Sequence, residues 1–231
     1  MRILLTRPEP EGLRSAARLR ALGHQVTHAP LMRGENLDVS ITGSFAAVLM
    51  TSANAARAIV DHPRFPELSK LPVLAVGDRS AEVARAVGFS DVASAQGALD
   101  ELVRLAAARF ANARLLYLAG EDRAGDVAGE LAARGIEVET AVIYRAVAVA
   151  ALPAETAQAR GAGRLDAVLH YSRRSAETLL RLSAEAGAVN AVLGISHYCL
   201  SGEVAVPLRQ AGARRITIAP LPGELSLFGL L

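Results

Sequence analysis

Along the whole chain, short apolar runs rich in Val, Ile and Leu alternate with Ala-, Leu- and Arg-rich stretches of helical period. Such alternation calls for parallel sheets covered by helices, because parallel neighbours need a long crossover and the helices that supply it bury both sheet faces. Strands are expected at Ile3 to Thr6, Gln25 to Ala29, Ala47 to Thr51, Val73 to Gly77, Asp91 to Ser94, Leu115 to Ala119, Val138 to Tyr144, Ala167 to Tyr171, Ser196 to Leu200 and Arg215 to Ala219. That is too many for one small sheet. A chain of 231 residues is also near the ceiling for one core, so two α/β domains of roughly 110 residues each are expected. With 52% hydrophobic and 21% charged residues, the composition supplies the cores and excludes a disordered chain.

The joints between elements fall into two kinds. From helix to strand, Gly23, Gly88, Gly135 and Gly212 stand where a helix ends in a left-handed residue, so they read as caps and not as phosphate loops. From strand to helix, the joints are polar: Thr6-Arg7-Pro8-Glu9, Thr51-Ser52-Ala53-Asn54-Ala55, Gly77-Asp78-Arg79-Ser80, Gly120-Glu121-Asp122-Arg123, Tyr171-Ser172-Arg173-Arg174-Ser175 and Leu200-Ser201-Gly202-Glu203. In an open parallel sheet these joints line the carboxyl edge, where helix N-termini point unpaired N–H groups outward and anionic ligands bind. Each hydroxyl or amide there is also an ordinary N-cap residue.

Residues 30 to 45 and 146 to 164 carry the least strand character, and both adjoin long extended segments, His24 to Arg33 and Ile136 to Ala148. Two crossings of the chain between domains account for this. Residues 1–33 with 150–231 are therefore expected to form one discontinuous domain, and residues 36–146 an inserted one.

Several function classes drop out. Basic and acidic residues nearly balance, 25 against 23, and no basic run or face marks a nucleic-acid binder. Lys70 is the only lysine, so positive charge is almost entirely guanidinium, suited to forked contacts with carboxylate or phosphate; a GC-rich coding bias produces the same composition. Cys199 is alone, which excludes an internal disulfide and any CxxC site and fits a reducing compartment, the cytoplasm. No window approaches a membrane span. The five histidines, His24, His28, His62, His170 and His197, are scattered rather than set at metal-ligand spacing. Neither nucleotide-binding glycine motif is present, and no nucleophile elbow is found. Tyr144 closes an apolar strand and precedes Arg145 at the expected crossing, where a phenol can donate into a cleft or simply pack against the linker.

The order and spacing of these joints, Thr6-Arg7-Pro8, Thr51-Ser52-Ala53-Asn54-Ala55, Ala75-Val76-Gly77, Gly120-Glu121-Asp122-Arg123, Val142-Ile143-Tyr144-Arg145 and Tyr171-Ser172, resemble those of the uroporphyrinogen-III synthase family over essentially the full length. The resemblance implies two flavodoxin-like parallel-sheet domains, one inserted in the other and joined by a two-stranded β linker, with the active site in the cleft between them. It implies a monomeric lyase without metal or organic cofactor, which cyclises hydroxymethylbilane, a linear tetrapyrrole with eight carboxylates, with inversion of its terminal ring and loss of water. Transient contact with hydroxymethylbilane synthase is the expected protein partnership; neither nucleic acid nor membrane is expected.

By the same resemblance Tyr144 is the catalytic candidate, assisting departure of hydroxide, and Arg7, Thr51, Ser52, Asn54, Gly77, Ser172 and Ser201 are substrate-binding candidates. Two joints depart from the family pattern. Where many members have Ser-Pro-Ser, this chain has Ser172-Arg173-Arg174-Ser175, and where many have a pair of hydroxyls it has Ser201-Gly202-Glu203-Val204-Ala205, so that Glu203 is set to repel carboxylates if it faces them. That departure supports an alternative reading, a non-catalytic two-domain protein that closes on a small anion.

Overall fold

The computed structural model describes residues 1–123, 125–154, 156, 165–221 and 223–231. Along the chain come β1 (Arg2–Leu5), α1 (Glu11–Ala21), β2 (Gln25–His28), β3 (Met32–Asn36), β4 (Ala47–Met50), α2 (Ala53–Ala58), α3 (Phe65–Leu68), β5 (Val73–Ala75), α4 (Asp78–Val87), β6 (Val92–Ser94), α5 (Leu99–Arg109) and β7 (Arg114–Gly120). They are followed by α6 (Val127–Ala132), β8 (Glu137–Ala148), β9 (Ala167–His170), α7 (Arg173–Glu185), α8 (Val189–Leu193), β10 (Ser196–Cys199), α9 (Gly202–Gln210), β11 (Ile216–Ile218) and α10 (Glu224–Phe228). The strands form two sheets, ordered β2-β1-β9-β10-β11 and β3-β8-β7-β4-β5-β6. The chain divides into two compact units, one of Met1–Arg33 with Val147–Leu231 and the other of Gly34–Ala146.

Successive side chains of a strand point to opposite faces. In the second unit Val48, Met50, Leu116 and Leu118 accordingly meet Ala55 and Ala56 of α2 and Ala84 of α4, while Leu49, Leu115 and Tyr117 meet Leu102 and Val103 of α5 and Leu131 of α6. In the first unit Ile3, Leu5 and Leu169 pack on Ala16 and Leu19 of α1, and Leu4 and Val168 pack on Leu179 and Leu182 of α7. Both faces of the central strands are covered. That is why β4 and β7 read as unbroken apolar runs rather than alternating ones. The expected helix-ending glycines Gly23, Gly88, Gly135 and Gly212 have φ of 87°, 119°, 76° and 90°, the left-handed region open to a residue without Cβ.

Strand β3 falls in the stretch expected to carry little strand character. Its sequence, Met-Arg-Gly-Glu-Asn, has no apolar run, because among the described residues it is an edge strand beside β8 alone and three of its five residues are exposed. It runs antiparallel to β8: the Leu37 N–H donates to the Ile143 carbonyl at 2.9 Å and the Val149 N–H to the Leu31 carbonyl at 3.0 Å, so partners descend as the strand ascends. The division between units falls within these two strands. The other weak stretch, 146 to 164, begins as the end of β8; residues 155 and 157–164 lie outside the described residues.

Within each sheet one pair of strands marks a reversal of strand order. In the first unit β1 feeds α1 on one face and β9 feeds α7 on the other; in the second, β4 feeds α2 and β7 feeds α6 on opposite faces. Helices leaving to opposite sides open a crevice above the carboxyl ends of the two strands, the usual ligand position in open α/β sheets. The second sheet, counted from β4, runs 3-2-1-4-5, whereas the first runs 2-1-3-4-5.

Candidate active site

Thr51 and Ser52 follow β4 and Gly120 ends β7, so they flank the second unit's crevice. Ser52 is in extended conformation and its hydroxyl accepts from the Asn54 N–H at 3.1 Å, capping α2. The Thr51 hydroxyl and the Tyr117 phenol hydrogen-bond at 2.7 Å. Tyr144, on β8, is paired with Gly120, and the neighbouring Glu121 N–H donates to its carbonyl at 3.0 Å. The ring lies directly on the glycine: a Cβ at Gly120 would stand 2.6 Å from Tyr144 Cζ and 2.7 Å from its Oη. Burial raises the Tyr144 phenol above its ordinary pKa, Tyr117 and Asp122 adding to the rise and a hydrogen bond with Ser52 opposing it. A phenol so placed is protonated at neutral pH and carries a transferable proton beside the Ser52 hydroxyl.

The remaining candidates of this unit play lesser parts in the local geometry. Asn54 is exposed, its Oδ1 accepting from Arg57 Nη1 at 2.7 Å on the α2 surface. Gly77 caps α4 in extended conformation, and a Cβ there would meet the Gly97 backbone at 3.4 Å, an ordinary contact.

In the first unit Arg7 follows β1 and Ser172 follows β9, on either side of its crevice, and Ser201 follows β10. Ser172 accepts from the Ser175 N–H at 3.1 Å and caps α7; Ser201 accepts from the Val204 N–H at 3.4 Å and caps α9. Arg7 is engaged by Glu224 at 2.7 Å, and its guanidinium lies 4.6 Å from the centre of the Tyr171 ring. The two departures from the family pattern meet: Arg173 donates to Glu203 at 2.5 Å and to Glu177 at 2.8 Å. The acid that replaces a hydroxyl is thus neutralised by the base that replaces the proline.

The structure therefore gathers Thr51, Ser52 and Tyr144 around one crevice, and Arg7 and Ser172 beside the other. Sequence reasoning missed Tyr117, Tyr171, Ser15, Arg18 and Glu224. Tyr171 adjoins a residue that was singled out, whereas Glu224 lies 217 residues from Arg7 and no local pattern reaches it. His170 and His197 are fully buried and hydrogen-bonded to each other at 2.9 Å, away from solvent chemistry. A cavity of about 260 Å³ in the first unit is lined by mid-strand residues such as Leu4 and Val168 and by Leu152 and Ile195, not by the rim residues. Among the described residues no group of three His, Cys, Asp or Glu could hold a metal ion, and no helix is long and apolar enough to cross a membrane.

The family model described as uroporphyrinogen-III synthase HemD matches residues 14–229. A search of curated proteins gives no match. Among solved structures, the uroporphyrinogen-III synthetase of Helicobacter pylori is similar at a TM-score of 0.70 and 17% identity, covering 100% of this chain and 98% of that one. A mutant uroporphyrinogen III synthase of the extremely thermophilic bacterium Thermus thermophilus is similar at a TM-score of 0.53 and 17% identity, covering 100% of this chain and 97% of that one. At these identities the structural likeness speaks for the fold.

Proposed function

The chain belongs to the uroporphyrinogen-III synthase family, matched across residues 14–229, and we propose how its own residues serve the family reaction, the cyclisation of hydroxymethylbilane to uroporphyrinogen III with inversion of ring D and loss of water. The observation that carries the assignment of roles is the seat of Tyr144, a phenol held on the Gly120 backbone at the second unit's crevice, beside Ser52. A phenol is protonated at neutral pH and its burial here leaves it so, and the position of Tyr144 Oη lets it deliver that proton to the departing hydroxyl as the C–O bond breaks. The electrons come from the pyrrole nitrogen, which keeps its hydrogen, leaving a cationic azafulvenium. Intramolecular attack by the substituted carbon of ring D gives the spiro intermediate, which fragments and recloses inverted; the proton lost on rearomatisation restores the phenol.

Water is the only product besides the macrocycle, and no electrons are gained or lost. The reaction as written therefore calls for no redox cofactor, and we read the enzyme as cofactor-independent. Control of which carbon attacks is a matter of positioning, the dominant factor in an intramolecular reaction whose unguided outcome is the uninverted isomer. Thr51, Ser52, Ser172 and Ser201, at strand ends and helix starts, are suited to hydrogen-bond substrate carboxylates together with the first backbone N–H groups of the helices, as is Gly77, and Asn54 to a lesser degree. Buried Cys199 is compatible with a reducing cytoplasm.

Incubation with freshly prepared hydroxymethylbilane, oxidation and separation of isomers tests the reading: the type III isomer should exceed the type I background. Tyr144→Phe should lower turnover by ~10² to 10⁴-fold while product affinity stays within about twofold. Unchanged turnover in that variant removes Tyr144 from the chemistry.

A further inference from the structure

The first unit's crevice contains a carboxylate in an unusually complete setting. Glu224 Oε1 accepts from Arg7 Nη1 at 2.7 Å, from Tyr171 Oη at 3.0 Å and from the Ser15 hydroxyl, and Oε2 accepts from Arg18 Nη1 at 2.9 Å. Arg7 Nη1 also donates to Ser15 at 3.2 Å. The donors come from α1 and from the joints after β1 and β9, which are the two sides of the place where strand order reverses. Charged guanidinium donors, one on each oxygen, converging with hydroxyls on one carboxylate are a means by which proteins recognise carboxylate ligands. Two guanidinium groups face a single acid, so these groups together keep an excess positive charge.

Glu224 is not what docks its own helix. Leu227 and Phe228 of α10 are buried against Ile3, Leu5 and Leu169, an apolar attachment that persists if the acid swings away. The glutamate side chain itself is only 16% exposed, but its partner Arg18 is exposed, so the pair stands at the boundary with solvent. A lone acid at this crevice would repel a substrate with eight carboxylates; an acid that occupies a carboxylate site and can leave it does not.

We propose that Arg7, Arg18, Tyr171 and Ser15 form a binding subsite for one carboxylate of the tetrapyrrole, occupied in the free protein by Glu224, which the substrate carboxylate displaces. The proposal rests on the reading of the chain as acting on a linear tetrapyrrole. It makes Glu224 an internal competitor. Its removal should therefore improve affinity, the reverse of what loss of an ordinary structural ion pair does.

The test is a fluorescence titration with uroporphyrin III, the oxidised octacarboxylate product, on wild type, Glu224→Gln, Arg7→Gln and the double variant, with thermal melts of each. Glu224→Gln is expected to tighten binding by about threefold or more, Arg7→Gln to weaken it, and the gain to vanish in the double variant, since the two groups act on one exchange. If Arg7→Gln does not fold, Arg18→Gln takes its place in the cycle. Unchanged or weaker binding by Glu224→Gln overturns the proposal, as does a gain of equal size in the Arg-substituted background, which is a long-range field effect. Isomer analysis of the wild type separates the two levels: absence of type III product refutes the functional reading, whereas type III product without tighter binding by Glu224→Gln refutes the subsite alone.

Discussion

The contact between Gly120 and Tyr144 shows how little space separates a working rim from a blocked one. A methyl group at Gly120 would overlap the phenol, its three nearest neighbours all being atoms of the Tyr144 side chain, so the ring has to move. Gly120→Ala is therefore expected to lower turnover by roughly 10²-fold, approaching the loss of the hydroxyl itself, while destabilising the fold by about 1–3 kcal/mol. Turnover measured beside a urea melt decides it; wild-type activity in a folded Gly120→Ala protein means that the ring position is not critical. At this scale, what is local was legible in the sequence. Ser52, Ser172 and Ser201 cap helices because the acceptor reaches an N–H only two or three residues on. The pairing of Arg173 with Glu203 and of Arg7 with Glu224 depends on which strands lie side by side, and neither the spacing nor the residue type of Glu224 announces it.

Elements carry a buried device of their own in His170 of β9 and His197 of β10. His197 Nε2 lies 3.1 Å from the Val192 carbonyl, which only accepts, so that nitrogen bears the hydrogen and Nδ1 accepts from His170 Nε2 at 2.9 Å. His170 Nδ1 is left bare and has no partner among the described residues. Burial lowers the pKa of both rings, that of His197 from 6.5 to about 4, with Arg215 acting in the same direction and the Val192 hydrogen bond against it. With folded values below unfolded ones, the unfolded chain binds more protons as pH falls through 6.5 towards 4, and stability drops over that window. From His197 alone the loss approaches about 3 kcal/mol. Asp166, lowered to about 2 by the Arg2 hydrogen bonds, acts only below its ordinary value of 3.8, and so does not confuse the window. Urea midpoints at pH 7 and pH 4.5 should differ markedly for the wild type and less for His197→Gln; equal shifts would assign the acid sensitivity elsewhere. Element-level reading placed β9 and β10, whereas the hydrogen bond between their histidines depends on the register of the ladder, in which His170 pairs with Cys199 and His197 with Val168. Strand β3 went unread for the opposite reason, having no apolar run to betray it.

For the molecule as a whole, the doubly covered parallel architecture was legible because burial on both faces leaves a continuous apolar signature in each central strand. The order of strands was not, since a helical crossover of given length can return on either side of its starting strand. The arrangement of cores has its own consequence for folding. Both apolar layers of the second unit draw every residue from the single segment Gly34–Ala146. Those of the first unit need β1 from one end of the chain and β9 from the other, with Ile3 paired to both Val26 and Ala167. A fragment of residues 34–146 is therefore expected to fold alone, whereas a fragment of residues 147–231 lacks β1 and leaves Val168 and Leu169 without a neighbour on one side of their strand. Truncation removes only Met32 and Arg33 from β3, an edge position that the rest of the sheet does not depend on. Circular dichroism through a urea titration should show a cooperative transition for residues 34–146 with a slope of about 1–2 kcal/mol/M, and a broad, featureless one for residues 147–231. A non-cooperative melt of the 34–146 fragment would mean that the inserted unit depends on the rest of the chain for its stability, despite owning both of its cores.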